Sequence, residues 1–179
     1  MQLNIYLLTH PIIQILSNYT REQENESMYY IKSQQLGLFI IYEIVRKWVK
    51  IQQLYIKKIN HIREISITNP NDSYSIVTDL TKSHHIINAV GNILPNTKFI
   101  HINSIEEQEN THTNEKIILF EKFLCNYKII ESIEYLLKHK QININDIKVA
   151  CIICNNKVLD QIGNKYPNLE IYTTKIIRY

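Results

Sequence analysis

One stretch sets what this chain can fold into: Ile117-Ile118-Leu119-Phe120-Glu121-Lys122-Phe123-Leu124-Cys125-Asn126-Tyr127-Lys128-Ile129-Ile130-Glu131-Ser132-Ile133-Glu134-Tyr135-Leu136-Leu137. Ile117 to Phe120 read as a strand, an acid follows at Glu121, and Ile129, Ile130, Ile133, Leu136 and Leu137 recur at the spacing of one helix face. Strand, loop and helix in that order put the loop at a carboxyl strand end and a helix amino end. Unpaired N–H groups and the helix dipole favour a phosphate there. What fills the loop is unusual. A phosphate cradle uses glycines because its N–H groups converge through positive-φ conformations, and a side chain there costs about 1–2 kcal/mol. Cys125-Asn126-Tyr127-Lys128 contains no glycine, and Asn126 alone tolerates that conformation well. The chain as a whole has 3 glycines.

The same alternation extends on both sides of this unit. His10-Pro11-Ile12-Ile13-Gln14 follows a short apolar lead, with Pro11 fixing an extended approach. A long amphipathic pattern from Ser27 to about Gln53, with Ile31, Leu36, Phe39, Ile40, Ile44, Trp48 and Ile51 on one stripe, predicts a helix. Leu54–Ile59 and Arg63–Thr68, separated by Asn60-His61, read as a hairpin, and Asn69-Pro70-Asn71-Asp72 as a turn. Tyr74–Leu80 reads as a core strand, Ser83–Leu94 as a helix and Lys98–Ile102 as the next strand. The polar, acidic Asn103–Glu115 reads as a long surface loop able to cover a site. Asp146–Cys154, Asn156–Tyr166 and Glu170–Thr173 read as strand, helix and strand. Repeated strand–helix alternation predicts an α/β fold, a mainly parallel sheet with helices on both faces, in one domain over 1–179.

The remaining features narrow the function classes. A net charge of +3 with pI near 8.6, dispersed along the chain, does not call for nucleic acid. No apolar run spans a bilayer, since the one around Leu36–Ile44 carries Glu43, and the amino terminus shows neither a secretory leader nor a transit peptide. A protein that stays where it is made is the expectation. The composition, rich in Ile, Asn, Lys and Tyr with arginine only at Arg21, Arg46, Arg63 and Arg178, suggests an AT-rich genome. Cys125, Cys151 and Cys154 form no disulfide framework; Cys151 and Cys154 read as buried strand residues on opposite faces, in preference to a redox pair. His84-His85 diverge by about 100° on a helix and cannot share a ligand. Lys82-Ser83 beside them offers an anion corner or an ordinary cap by Ser83. His10, His61, His101, His112 and His139 show no metal-ligand spacing. Glu106-Glu107-Gln108-Glu109 reads as a solvated loop, or as an acidic cluster near a magnesium–phosphate site.

Several of these stretches together resemble the uracil phosphoribosyltransferase family, of the type I phosphoribosyltransferase fold. His10-Pro11-Ile12-Ile13-Gln14 is similar to that family's opening His-Pro-Leu-Ile/Val-Gln, and Arg21 falls at the Arg of its Leu-Arg-Asp. Leu36-Gly37 with Tyr42-Glu43-Ile44-Val45-Arg46-Lys47-Trp48 resembles Leu-Gly…Tyr-Glu-Ala-Val-Arg-Asp-Trp in its cyanobacterial form. Tyr166-Pro167-Asn168-Leu169-Glu170-Ile171-Tyr172-Thr173 resembles Tyr-Pro-x-Leu-x-Ile-Tyr-Thr. The resemblance implies condensation of uracil with 5-phosphoribosyl-1-diphosphate to UMP and diphosphate, with Mg2+ as cofactor, a homodimer, and an N-terminal helical segment and β-hairpin added to the sheet.

The departures fall where the family binds its substrates. Thr81-Lys82-Ser83-His84-His85 stands for the family's Arg-Ala-Gly-Leu-Gly at the diphosphate. Glu121 to Ile129 stands for Asp-Pro-Met-Leu-Ala-Thr-Gly-Gly-Ser at the ribose and 5-phosphate, of which the leading acid and Leu124 survive. Ile177 replaces an Asp, and the uracil-lining Gly-Tyr-Ile-Val-Pro-Gly-Leu-Gly-Asp-Ala-Gly-Asp has no counterpart before Tyr179, as in a domain truncated at its carboxyl end. The resemblance thus leaves Glu121, Asn126 and Lys128 as a ribose–phosphate remnant and Thr81, Lys82 and Ser83 as a diphosphate remnant, with no protein metal ligand set. It implies an enzyme of reduced or lost activity, or a binding and assembly module, or, least favoured, a pyrimidine-linked regulator. The cyanobacterial flavour and AT-rich composition point to a plastid-encoded protein of the chloroplast stroma.

Overall fold

A parallel strand hydrogen-bonds only to its neighbours and must be covered on both faces, so apolar runs separated by amphipathic helices close into a layered sheet. The computed structural model describes residues 3–20, 26–94, 96–107 and 115–178. Its eight strands are β1 (Asn4–Leu7), β2 (Ile51–Lys57), β3 (Ile62–Thr68), β4 (Ser73–Thr78), β5 (Thr97–His101), β6 (Glu115–Leu124), β7 (Ile147–Asn155) and β8 (Glu170–Ile177). The helices are α1 (Pro11–Tyr19), α2 (Glu26–Val45), α3 (Leu80–Ile87), α4 (Lys128–Lys138) and α5 (Asn156–Lys165). Six strands form one sheet in the order β1-β8-β7-β6-β4-β5, every pairing parallel, and β2-β3 form a separate antiparallel pair.

The helices divide between the faces. Leu16 of α1, Leu36, Ile40 and Ile44 of α2 and Ile86 of α3 pack with Ile76, Ile118, Phe120 and Tyr172 of the strands. Ile129, Ile133 and Leu136 of α4 and Val158 and Ile162 of α5 pack with Val77, Ile117, Leu119 and Val149 on the other face. Gly37 shows how closely the first layer is set: a Cβ there would lie 1.9 Å from the backbone oxygen of Ile86, so α2 and α3 cross where only glycine fits.

Several boundaries differ from the sequence expectation. Pro11 is the first residue of α1 rather than part of an extended approach; His10 carries the extended backbone and caps the helix, its Nδ1 accepting from the Ile12 N–H at 3.3 Å. The long helix stops at Val45, and residues to Gln53 turn and enter β2, because Trp48 is held by its N–H to the Val45 carbonyl and buried in the core. Ile31 and Phe39, expected on the buried stripe, are exposed. Ser83–Leu94 is really Leu80–Ile87 followed by a 3-10 turn over Asn88–Asn92. The apolar lead forms β1 on the sheet edge, and β6 and β8 run past their expected ends at Phe120 and Thr173. Of the expected 103–115 loop, a 3-10 turn covers Ile102–Ser104 and Glu115 opens β6. Glu109 and His112, like Arg21, lie outside the described residues.

The cysteine reading also changes. Cys151 and Cys154 lie on the same face of the sheet, not on opposite ones, both packed with α4 and α5. The pairing ladder explains it. β6 and β7 pair at Glu121↔Cys151 and Phe123↔Ile153, and β7 and β8 at Cys151↔Thr173 and Ile153↔Lys175, but Ile152 is skipped in both. Its carbonyl instead accepts from the hydroxyls of Thr174 at 2.6 Å and Thr173 at 3.3 Å. With the ladder interrupted, the in–out alternation slips by one, so Ile152 and Ile153 both pack on the α1–α3 face.

Candidate functional site

All the carboxyl ends of the six parallel strands point the same way, so the loops after β4, β5 and β6 meet. There a cavity of about 410 Å³ is lined by Asp79, Lys82, Ser83, Ile102, Glu121, Lys122, Phe123, Asn126 and Lys128. Five of the six residues singled out in the sequence converge on it: Lys82, Ser83, Glu121, Asn126 and Lys128. Thr81 does not line it, and its hydroxyl donates to Asp79 at 2.6 Å. Asp79, Lys122, Ile102 and Phe123 were not foreseen. Asp79 was legible as a helix-capping acid between a strand and a helix; Lys122 and Phe123 were hidden by the β6 strand continuing past Glu121.

The α3 corner differs from both sequence readings of it. Asp79, not Ser83, is the N-cap, and Ser83 is buried within the helix. The Leu80 N–H donates to His101 Nδ1 at 3.2 Å, the Thr81 N–H to Asp79 Oδ1 at 3.2 Å, and those of Lys82 and Ser83 to the Asp79 carbonyl at 3.1 and 2.9 Å. The four amides that would meet an anion are thus all engaged. His101, which had no role in the sequence reading, is a cap. The Asp79 carboxyl is held down to about 2 by the Thr81 hydroxyl and by Lys82, whose ammonium sits 3.1 Å away. A phosphate at this corner would meet the Lys82 side chain and an ionised carboxylate, not a ring of N–H groups.

The loop after β6 is similarly self-satisfied. The Cys125 N–H donates to Phe123 O at 3.0 Å, closing a tight turn, and the Lys128 N–H donates to the Asn126 side-chain oxygen at 3.3 Å. Among the described residues Asn96 and Gln141 are the non-glycine residues with positive φ, and both lie outside this loop, so it builds no concave nest of amides. Cations are plentiful instead. Lys128 reaches Asn103 Oδ1 at 3.4 Å, and Lys122 donates to the Tyr29 hydroxyl at 2.8 Å. A neighbouring cavity of about 250 Å³ shares Lys128 and Ile102 and is lined further by Glu106, Glu131 and Tyr135. As expected, the two adjacent histidines diverge: His84 packs edge-on to Phe99 and His85 against Tyr29 and Tyr30.

Glu121 is the acid of this site. It projects from β6 opposite Cys151, is 9% exposed, and its Oε2 has no hydrogen-bond partner. Burial pushes its carboxyl up to about 7, against the attraction of Lys82 and Lys128. With Asp79 it gives the cavity two carboxylates among three lysines, and among the described residues no group of three His, Cys, Asp or Glu can hold a metal ion. The lining does not fit a protein-held magnesium ion, so no chemistry is routed through one. Because the folded chain holds the Glu121 proton more tightly than the unfolded chain, its contribution is fully present below about pH 4.5 and lost as pH rises through about 7. Glu121→Gln should therefore be more stable than the parent at pH 8, by about 1–3 kcal/mol or roughly 3–8 °C, and equal to it near pH 4.5. Thermal unfolding of both at the two pH values checks this; equal midpoints at pH 8 overturn it.

The comparisons with known proteins agree with this geometry. The family model described as uracil phosphoribosyltransferase matches residues 7–178. A protein of Porphyra purpurea named uracil phosphoribosyltransferase homolog is 30% identical over 98% of this chain and 89% of its own length. The uracil phosphoribosyltransferase of Synechocystis sp. is 22% identical over 98% of this chain and 88% of its own. Among solved structures, the AQ2163 protein of Aquifex aeolicus superposes with a TM-score of 0.74 at 17% identity, covering 97% of this chain and 88% of that one, which shows a shared fold. A sheet with its cavity at the carboxyl strand ends, carrying an acid on the central strand, and a family match along nearly the whole length place this chain in the uracil phosphoribosyltransferase family.

Proposed function

We propose that the cavity binds the ribose–phosphate portion of 5-phosphoribosyl-1-diphosphate and that transfer to uracil is strongly reduced or lost. The observation that carries this reading is the pairing of a buried, unpartnered Glu121 carboxyl with three lysines in one cavity, beside loops whose amides are already bonded. Ribose hydroxyls would satisfy Glu121, and Lys82 and Lys128 would attract phosphate as point charges. Catalysis needs more. Stabilising an oxocarbenium-like transition state depends on preorganised donors around the leaving diphosphate, and ammonium groups on long lysine side chains act as point charges without the convergent amides of a phosphate cradle. Lys82 illustrates this, its side chain being 78% exposed.

The test separates binding from transfer. At about 100 times its dissociation constant a ligand stabilises by about 2.7 kcal/mol, a shift of roughly 5–10 °C for a chain of this size. Millimolar 5-phosphoribosyl-1-diphosphate with magnesium should produce that shift, Lys128→Ala should remove most of it, and radiolabelled uracil should give UMP at a rate at least a thousand-fold (~4 kcal/mol) below that of the Synechocystis relative. No shift removes the binding reading; UMP at the relative's rate removes the reading of lost transfer.

A homodimer is part of the same proposal. Every residue of β2 is exposed, and the pairing Leu54↔Ile65 puts Leu54, Ile56, Ile65 and Ile67 on one face of a two-stranded arm. An isolated hairpin is marginal in water, so a second copy of the chain covering that face would stabilise it. Light scattering should give twice the chain mass of 21.3 kDa, and Leu54→Lys with Ile56→Lys should return the monomer; a parent that is already monomeric at micromolar concentration removes the dimer.

We further place the protein in a plastid, on the strength of its AT-rich composition and of an Arabidopsis thaliana relative named as chloroplastic, 20% identical over 94% of this chain and 62% of its own length. Immunodetection in fractionated algal cells should find it with the stroma; recovery in the cytosolic fraction removes the placement.

A further inference from the structure

The chain has 3 cysteines, and the fold brings all of them to one spot beside the cavity. Cys154 of β7 pairs with Leu124, the last residue of β6. Cys125 is the next residue, in the tight turn closed by its own N–H bond to Phe123 O, and it is exposed. Cys154, the cross-strand partner of the residue before Cys125, is 0% exposed. Cys151 shares the same face because of the interrupted ladder at Ile152, and the Cys154 thiol donates to the Lys175 carbonyl at 3.6 Å.

We propose that Cys125 and Cys154 are a disulfide-forming pair that ties the loop after β6 to the end of β7 when the chain meets a low-molecular-weight disulfide. Backbone position decides which pair bonds. A residue next to a cross-strand neighbour lies within the roughly 4.4–6.8 Å Cα separation a disulfide spans. Cys151 and Cys154 sit three residues apart on one strand, about 10 Å of rise, and cannot be bridged without unfolding it. A metal centre is not the alternative, since no three-ligand group exists among the described residues.

The chemistry divides the roles by exposure. The Cys125 thiolate attacks one sulfur of the disulfide and expels the first small thiolate, leaving a mixed disulfide on the loop. The Cys154 thiolate then attacks the Cys125 sulfur and expels the second. Two protein thiols are oxidised by two electrons in total, one small disulfide is reduced, and their two protons end on the released thiols. Cys151 assists without bonding, because its neighbouring thiol holds the Cys154 thiol below the usual range and so favours the attacking thiolate. Burial, Glu121 and Cys154 hold the Cys125 thiol above its usual range, so the first step is slow at neutral pH and speeds up with pH.

The full chain incubated with millimolar oxidised glutathione should lose about 2 Da by intact mass, and digestion without reductant should yield a peptide joining Cys125 to Cys154. Closing a loop of roughly 30 residues should raise the thermal midpoint by about 5–10 °C, reversibly with dithiothreitol. Cys125→Ser, at an exposed position, should abolish both changes, whereas Cys151→Ala should still form the link. A stable glutathione adduct on Cys125, a bond involving Cys151, or an unchanged mass overturns the proposal. None of these readouts depends on binding or turnover of a phosphoribosyl substrate.

Discussion

The structure depends on the central ladder of β4, β6 and β7. Parallel strands have no solvated face, so each of their side chains must meet a helix or another strand, and Ile76, Ile118, Leu119, Phe120, Val149 and Ala150 are all at most 1% exposed. Everything else follows from covering that ladder: α1, α2 and α3 on one side, α4 and α5 on the other, with β1 and β5 at the edges. Burying a Leu, Ile or Phe side chain is worth about 1.5–3 kcal/mol, so a core this large tolerates local departures that would unfold a smaller domain. The skipped pairing at Ile152 is one. Two threonine hydroxyls meet the carbonyl it frees, and the side-chain alternation slips without loss of the sheet.

That slip marks where sequence reasoning stops. The alternation of strands and helices, the parallel sheet and the β6–α4 unit were legible because each rests on a periodicity that burial enforces. Two residues three apart on a strand face opposite ways only while the ladder is regular, and nothing in Val149-Ala150-Cys151-Ile152-Ile153-Cys154 shows the interruption. The groups that meet the freed carbonyl lie on another strand, at Thr173 and Thr174. The overrun of the long helix has the same origin: Trp48 fits the helical stripe, but its place in the core is reached through a turn, and tertiary packing overrides a local pattern.

The site was legible in outline for a different reason. The family resemblance singled out Lys82, Ser83, Glu121, Asn126 and Lys128, and the parallel topology, which brings the loops after β4 and β6 together, places all five on one cavity. What the sequence could not give was the state of the amides around them. Asp79 and His101 engage the first amides of α3, and the Asn126 side chain engages that of Lys128. A helix terminus is an anion site only while its N–H groups are free, and here each corner carries its own acceptor. Replacing glycine in such a loop changes more than φ, because the new side chains can themselves cap the groups a phosphate would use.

Glu121 then stands out on energetic grounds. Four apolar residues precede it on β6, its Oε2 has no partner, and burial raises its proton affinity enough that the charged form weakens the fold above neutral pH. Folding therefore supplies no reason for a carboxyl at that position; an amide or an apolar residue would serve the sheet better. A ligand can reverse the balance. Hydroxyl donors reaching Oε2 would stabilise the ionised form and lower its proton affinity, while the lysines nearby attract whatever anion is attached to those hydroxyls. A sugar phosphate carries both hydroxyl donors and an anionic group, whereas a purely apolar or purely anionic ligand satisfies only one side of the cavity. The acid that least suits the fold is thus the one that most constrains what the cavity is for.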